Sequence, residues 1–312
     1  MVTMTRRQLF VLVVLVAGAL SPYRLASASQ INDYLALGDS MAFGETDFTG
    51  NPSNGDRGYV KLYADHLAQS NGGVRPSVIN LGVDGETSST FFGGSPQHDG
   101  TPGNPAPQWN LNYPSPDTTQ NGLMLSTIAS EKAAGHVIGN VSIQLGANDL
   151  LSAVIAPGFL TMTPAQQQAA VGQIIGGIQA NDAALLTELK TLLPNANLIL
   201  LGYHNPFNAD PTSPIGMIAD PAIKGLNSLI AAEAAAFGAR YIDTYDPFVG
   251  HELDDTYIAN GNVHPNATGY ALIAGQMETV PEPSTFLMGA GIVGWLTLAR
   301  RSRSRGDIKS GS

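Results

Sequence analysis

The chain has 312 residues, 15 basic and 25 acidic, and a formal net charge of −10. Residues 29–279 hold 7 basic and 23 acidic side chains, a net of −16; a field of that sign repels phosphate backbones, so nucleic acid is not an expected partner. Cysteine is absent, which excludes disulfides, thiolate nucleophiles and cysteine-ligated zinc or iron–sulfur centres. Apolar residues make up 43%, ordinary for a globular core.

In chain order, Arg6 and Arg7 precede an apolar run from Leu9 to Leu20, followed by Ala26-Ser27-Ala28. A basic start, a short apolar stretch and small residues predict a signal peptide over 1–28, cut after Ala28. The body, 29–279, alternates short apolar runs with helical periodicity. The runs are Tyr34–Leu37, Val78–Leu81, Val141–Leu145, Leu198–Leu201 and Tyr241–Ile242. Nearly continuous apolar runs fit parallel strands buried on both faces. Helices are expected over 59–69 and 123–134, along Val171 to Leu192, and along Ile223 to Phe237 with Gly238 as C-cap. Strands alternating with helices predict one α/β domain with a parallel sheet. Residues 91–122, with five Gly and six Pro, and residues 203–219 read as irregular. The longer of these carries Trp109 and begins near the carboxyl ends of the strands, so Trp109 is expected to wall a substrate pocket. After the body come Val280-Pro281-Glu282-Pro283-Ser284, an apolar stretch of 15 residues from Thr285 to Ala299, and the cluster Arg300-Arg301-Ser302-Arg303. That stretch is short for a permanent membrane span, and the basic cluster would stay on the cytoplasmic side. Residues 306–312 form a polar end.

Ligands in open parallel sheets bind at the carboxyl ends of the strands. The residues there are Gly38-Asp39-Ser40, Gly82-Val83-Asp84-Gly85-Glu86-Thr87, Gly146-Ala147-Asn148-Asp149, His204-Asn205 and Asp243 to Asp246, with Val263-His264-Pro265-Asn266 near the end. Acyl transfer needs a nucleophile, a base and oxyanion donors. Ser40 at a strand-to-loop turn can supply the first and His264 the second. The Gly85 N–H and the Asn148 amide can supply donors. Asp39, Asp149 and Asp243 are read as shaping turns. His204, His251 and nearby acids lack ligand spacing, so no metal is expected.

The four blocks Gly38-Asp39-Ser40, Asn80 to Ser88, Gly146 to Asp149 and His264-Pro265-Asn266 together resemble the SGNH, or GDSL-type, esterase and lipase family. The resemblance runs over 33–276, with Met41 where the family name has Leu. It implies a three-layer α/β/α, flavodoxin-like fold with a five-stranded parallel sheet of order 2-1-3-4-5. It implies Ser40 as nucleophile, His264 as base, and an oxyanion hole from the Ser40 N–H, the Gly85 N–H and the Asn148 amide. No cofactor is implied. The family places Asp three residues before the His, where this chain has Gly261. Asn262 is closer in type but stands in the wrong place. The expected orienter of His264 is therefore a main-chain carbonyl at Gly261, with Asp254 and Asp255 as the acids that could fold in.

The tail over 280–305 resembles the PEP-CTERM sorting signal. It implies an exosortase as partner, transient inner-membrane contact, and delivery to the cell envelope or outside the cell. The combined expectation is a monomeric, exported serine esterase or lipase. Its substrate would be a lipid, a small ester or an acylated polysaccharide. A polysaccharide O-deacetylase, a lysophospholipase of the same fold, and a non-catalytic envelope or matrix binding protein on a degenerate fold are the alternatives.

Overall fold

The computed structural model describes residues 32–46, 57–93, 119–154, 156 and 158–279. The predicted signal peptide 1–28, Trp109 and the tail 280–312 lie outside the described residues.

Tyr34, Leu35, Ala36 and Leu37 are fully buried, as an interior strand covered on both faces requires, and they lie in β1 (Asn32–Gly38). β2 (Val78–Asn80) pairs on one side of it and β3 (Val137–Gln144) on the other, so that Leu35 lies level with Ile79 and with Val141. β4 (Asn197–Leu201) and β5 (Arg240–Ile242) extend the sheet beyond β3. Every pairing is parallel, and the order is β2-β1-β3-β4-β5, as the resemblance implied. β3 starts four residues before the predicted run. Its first half, Val137 to Asn140, is only partly buried and includes Gly139 and Asn140, so no apolar run announces it.

The helices are α1 (Ser40–Phe43), α2 (Gly58–Ser70), α3 (Gln120–Ala134), α4 (Ala147–Val154), α5 (Pro164–Leu192), α6 (Pro214–Phe237), α7 (Glu252–Asp255) and α8 (Ala267–Thr279). α2 packs on α8 and α5 on α6, flanking the sheet in three layers. Local chemistry sets their ends. Thr163 and Gln166 form a capping box at the start of α5, with Pro164 at the first helical position. Ser213 caps α6 by accepting from the Gly216 N–H, with Pro214 at the first helical position, so the irregular reading of 203–219 fails from Pro214 onward. Gly238 closes α6 in the left-handed conformation, as read from the sequence. The core under α2 joins Tyr34 and Tyr63, edge to face at 5.5 Å, and the Tyr34 hydroxyl shares a hydrogen bond of 2.7 Å with Ser142.

β1 lies between two strands that both follow it in the chain. The connections from its end and from the end of β3 therefore leave the sheet in different directions, which opens a crevice at their carboxyl ends. The chain turns into that crevice at Gly38, which has φ +133. A Cβ there would lie 2.0 Å from the Gln144 carbonyl oxygen on the neighbouring strand. Gly38→Ala should therefore lower stability by about 2 kcal/mol or more, in the range of severe packing and backbone defects. Thermal melts followed by circular dichroism would check this, and an unchanged Tm would contradict it.

Candidate active site

Ser40 is the first residue of α1, directly after β1, and it is 7% exposed. The backbone leading to it is gripped from both sides. Gln120 accepts from the Gly38 N–H at 2.7 Å and donates to the Gly38 carbonyl at 2.9 Å. The Asp39 N–H donates to the Gln144 carbonyl at 3.0 Å. Asp39 caps α1, accepting from the Met41 N–H at 2.9 Å, and also accepts from the Tyr203 hydroxyl at 2.6 Å. Burial pushes its carboxyl up to about 7, while those two donors pull the other way. Tyr203 is braced in turn by Asn227, which accepts from its N–H and donates to its carbonyl, both at 2.8 Å. Asp39 thus shapes the turn that presents Ser40.

His264 follows a short loop before α8. Its Nδ1 lies 2.6 Å from Asn262 Oδ1, and its N–H donates to the same oxygen at 2.9 Å. Asn262 is 3% exposed, and its Nδ2 donates to the Thr46 carbonyl at 2.8 Å. That bond fixes which end of the amide faces the imidazole, because a carbonyl can only accept. Asn262 Oδ1 is then the acceptor and His264 Nδ1 carries the proton. The neutral ring keeps its lone pair on Nε2, the form a general base needs.

The expected orienters are therefore corrected. Gly261 ends a 3₁₀ turn, with φ +78 and its N–H bonded to the Ile258 carbonyl. Asp254 and Asp255 sit in α7, where their carbonyls accept from Asn266 at 2.6 and 2.9 Å. The place at His264 Nδ1 goes to the Asn262 side chain. A residue two positions earlier can fold its short amide back over both the N–H and the ring, which a main-chain carbonyl at Gly261 does not do.

Ser40, Asn148 and His264 line one cavity of about 90 Å³, together with Asp39, Met41, Leu150, Leu151, Val154, Phe207, Ile223 and others. Asn148 lies in the first turn of α4, and its Nδ2 donates to the Glu86 carbonyl at 2.9 Å. One of the two amide hydrogens is used there and the other is available to a ligand. Gly85 takes a left-handed turn, φ +74, next to that carbonyl, and it is not among the residues lining the cavity. The loop bearing it is fixed from several directions. Asp149 accepts from the Ser88 N–H and hydroxyl at 2.8 and 2.7 Å, and the Glu86 carboxylate accepts from Gln120 at 3.1 Å and from the Thr90 hydroxyl. Asp243 accepts from the Tyr245 N–H at 2.8 Å, so all three of these aspartates shape turns, as read from the sequence.

His204 also lines the cavity, a placement that no motif announced. Its Nε2–H donates to the Val263 carbonyl at 3.1 Å, and its ring stacks on Phe248 at 4.5 Å. Burial pushes its pKa down to about 4, so it is neutral near pH 7 and adds no positive charge beside His264. By holding Val263 it helps place His264, which follows it. Trp109, expected in this pocket, lies outside the described residues.

Among the described residues, no helix is long and apolar enough to cross a membrane. The PEP-CTERM protein-sorting motif matches residues 279–303, which implies export, envelope association and processing by an exosortase. No curated protein matches the chain. Solved structures share its fold, and two of them serve as examples. One is the lipase Lip_vut3 from a goat rumen metagenome, at TM-score 0.54 and 20% identity over 79% of this chain and 95% of that one. The other is Axe2, an acetylxylan esterase from Geobacillus stearothermophilus, at TM-score 0.50 and 18% identity over 81% of this chain and 97% of that one. The pattern of the GDSL-like Lipase/Acylhydrolase family matches residues 36–272, from β1 into α8, and the chain belongs to that family.

Proposed function

We propose that the protein is an exported serine hydrolase that cleaves carboxylic esters. The observation that carries this reading is the pairing of Ser40 and His264 on one cavity, with His264 Nδ1 held by Asn262. The Ser40 hydroxyl attacks the ester carbonyl while His264 Nε2 takes its proton. The oxyanion receives hydrogen bonds from the Ser40 N–H, the Gly85 N–H and the free hydrogen of the Asn148 amide. Collapse expels the alcohol, protonated by His264, and leaves an acyl group on Ser40. Water then attacks with His264 again as base, releasing the carboxylic acid. Asn262 keeps the tautomer throughout and stabilises the imidazolium less than a carboxylate would.

The cavity walls of Met41, Leu150, Leu151, Val154, Phe207 and Ile223 favour an acyl group with some hydrocarbon length. A lipid, a small ester and an acylated polysaccharide all offer such a bond. The sorting motif supports a site of action in the envelope or outside the cell, after removal of the tail. The rival expectation, a binding protein on a retired hydrolase fold, rested on Gly261 in place of an acid, and the Asn262 contact weakens that support.

Turnover of p-nitrophenyl butyrate tests the reading. Ser40→Ala and His264→Ala should each lose about a thousandfold or more in kcat, and the double variant should be little worse, as for residues that act as a unit. A Ser40→Ala enzyme with a tenth of the wild-type rate would contradict it.

Asn262 has its own signature. Asn262→Ala should lower kcat about ten- to a hundredfold with KM nearly unchanged, short of the ~10⁴-fold loss seen when a buried triad aspartate is replaced. Asn262→Asp keeps the acceptor and adds charge, so its kcat should stay within about tenfold of wild type. A wild-type kcat in Asn262→Ala would remove Asn262 from the machinery.

A further inference from the structure

A second cluster lies at the opposite end of the sheet. Asp33 is the second residue of β1, Glu131 is in the last turn of α3, and His136 stands between α3 and β3. One ligand-type atom from each of the three residues falls within 4.8 Å of the other two. His136 Nδ1 lies 2.6 Å from Glu131 Oε2 and 3.7 Å from Asp33 Oδ2. Gly135 in the left-handed conformation ends α3 and folds His136 back over that last turn.

The two carboxylates do not stand there as ordinary surface acids. Asp33 is 4% exposed, and its Oδ2, the oxygen facing His136, has no hydrogen-bond partner. A buried carboxylate oxygen without a donor is costly. A cation between the three groups would give that oxygen a partner. His136 is more than half exposed, which leaves a path for an ion and for water to complete its shell.

We propose that Asp33, Glu131 and His136 form a structural site for one divalent metal ion of the zinc class. One imidazole nitrogen and two carboxylate oxygens, with water as the fourth ligand, suit such an ion. Bond lengths of about 2.0–2.2 Å put neighbouring ligands of a tetrahedral zinc about 3.3–3.5 Å apart. The two distances at Nδ1, 2.6 and 3.7 Å, bracket that spacing. The site clasps the start of β1 to the end of α3 and the start of β3. β1 has 7 residues, and at about 3.3 Å per residue the ion would sit roughly 20 Å from Ser40. Its part is to hold the first strand in place, and it takes no share in ester cleavage.

Calorimetric titration with zinc chloride tests this, using the purified protein stripped with chelator and carrying no added histidine tag. One zinc ion per chain should bind saturably, and zinc should raise the Tm. His136→Ala and Glu131→Gln change exposed or half-exposed side chains and should fold. Each should weaken zinc binding at least tenfold and abolish the Tm shift, with ester turnover unchanged. Absence of saturable binding to the wild-type protein would overturn the proposal, as would equal binding by both variants, which would place the zinc elsewhere.

Discussion

The site depends on one short contact, the hydrogen bond from His264 Nδ1 to Asn262 Oδ1. An amide does this work only if its oxygen faces the ring. The Asn262 Nδ2 bond to the Thr46 carbonyl enforces that orientation, and the burial of Asn262 removes water as a competitor. A turned amide would offer Nδ2 to Nδ1, favour the other tautomer and take the lone pair away from Nε2. A carboxylate has no such wrong way round, which is one physical reason a triad more often uses an acid. Here a neutral group holds the Nδ1–H tautomer, and it would support an imidazolium less than a carboxylate would.

Ser40 is held by a different device. Its turn has no room to move: Gly38 touches the next strand, Gln120 grips the Gly38 peptide from α3, and Asp39 is tied to Met41 and Tyr203. Gln120, Asp39 and Tyr203 are each hydrogen-bonded here, and removing one partner would strand the other at about 1–3 kcal/mol. Such a network fixes geometry more than it adds stability. The cavity beside it is apolar except at Asp39, Ser40, Asn148, Tyr203, His204 and His264, a pattern that orients a reacting bond and leaves the rest of the ligand to shape.

Much of this was legible in the residues. The apolar runs marked all five strands, because parallel strands covered on both faces must be apolar throughout. The residues after those runs included Ser40 and Asn148, and the late block gave His264. What failed to show rests on contacts far apart in the chain. Asn262 was visible but looked misplaced, since its orientation is set by Thr46, 216 residues away. Gln120 reaches Gly38 across 82 residues, and no local pattern announces a buried glutamine. His204 looked like any residue after a strand. The start of α6 was missed because Ser213-Pro214 was read as loop composition and not as a cap.

Fluorophosphonate labelling is the most direct test of an activated Ser40. The probe reacts with a serine only where a base takes its proton and donors hold the developing oxyanion. Peptide mass analysis of the labelled protein should find the probe on Ser40 alone, with labelling lost in a sample whose His264 has been replaced by Ala. Labelling on another serine, or none at all under conditions where the protein is folded, would contradict the assignment.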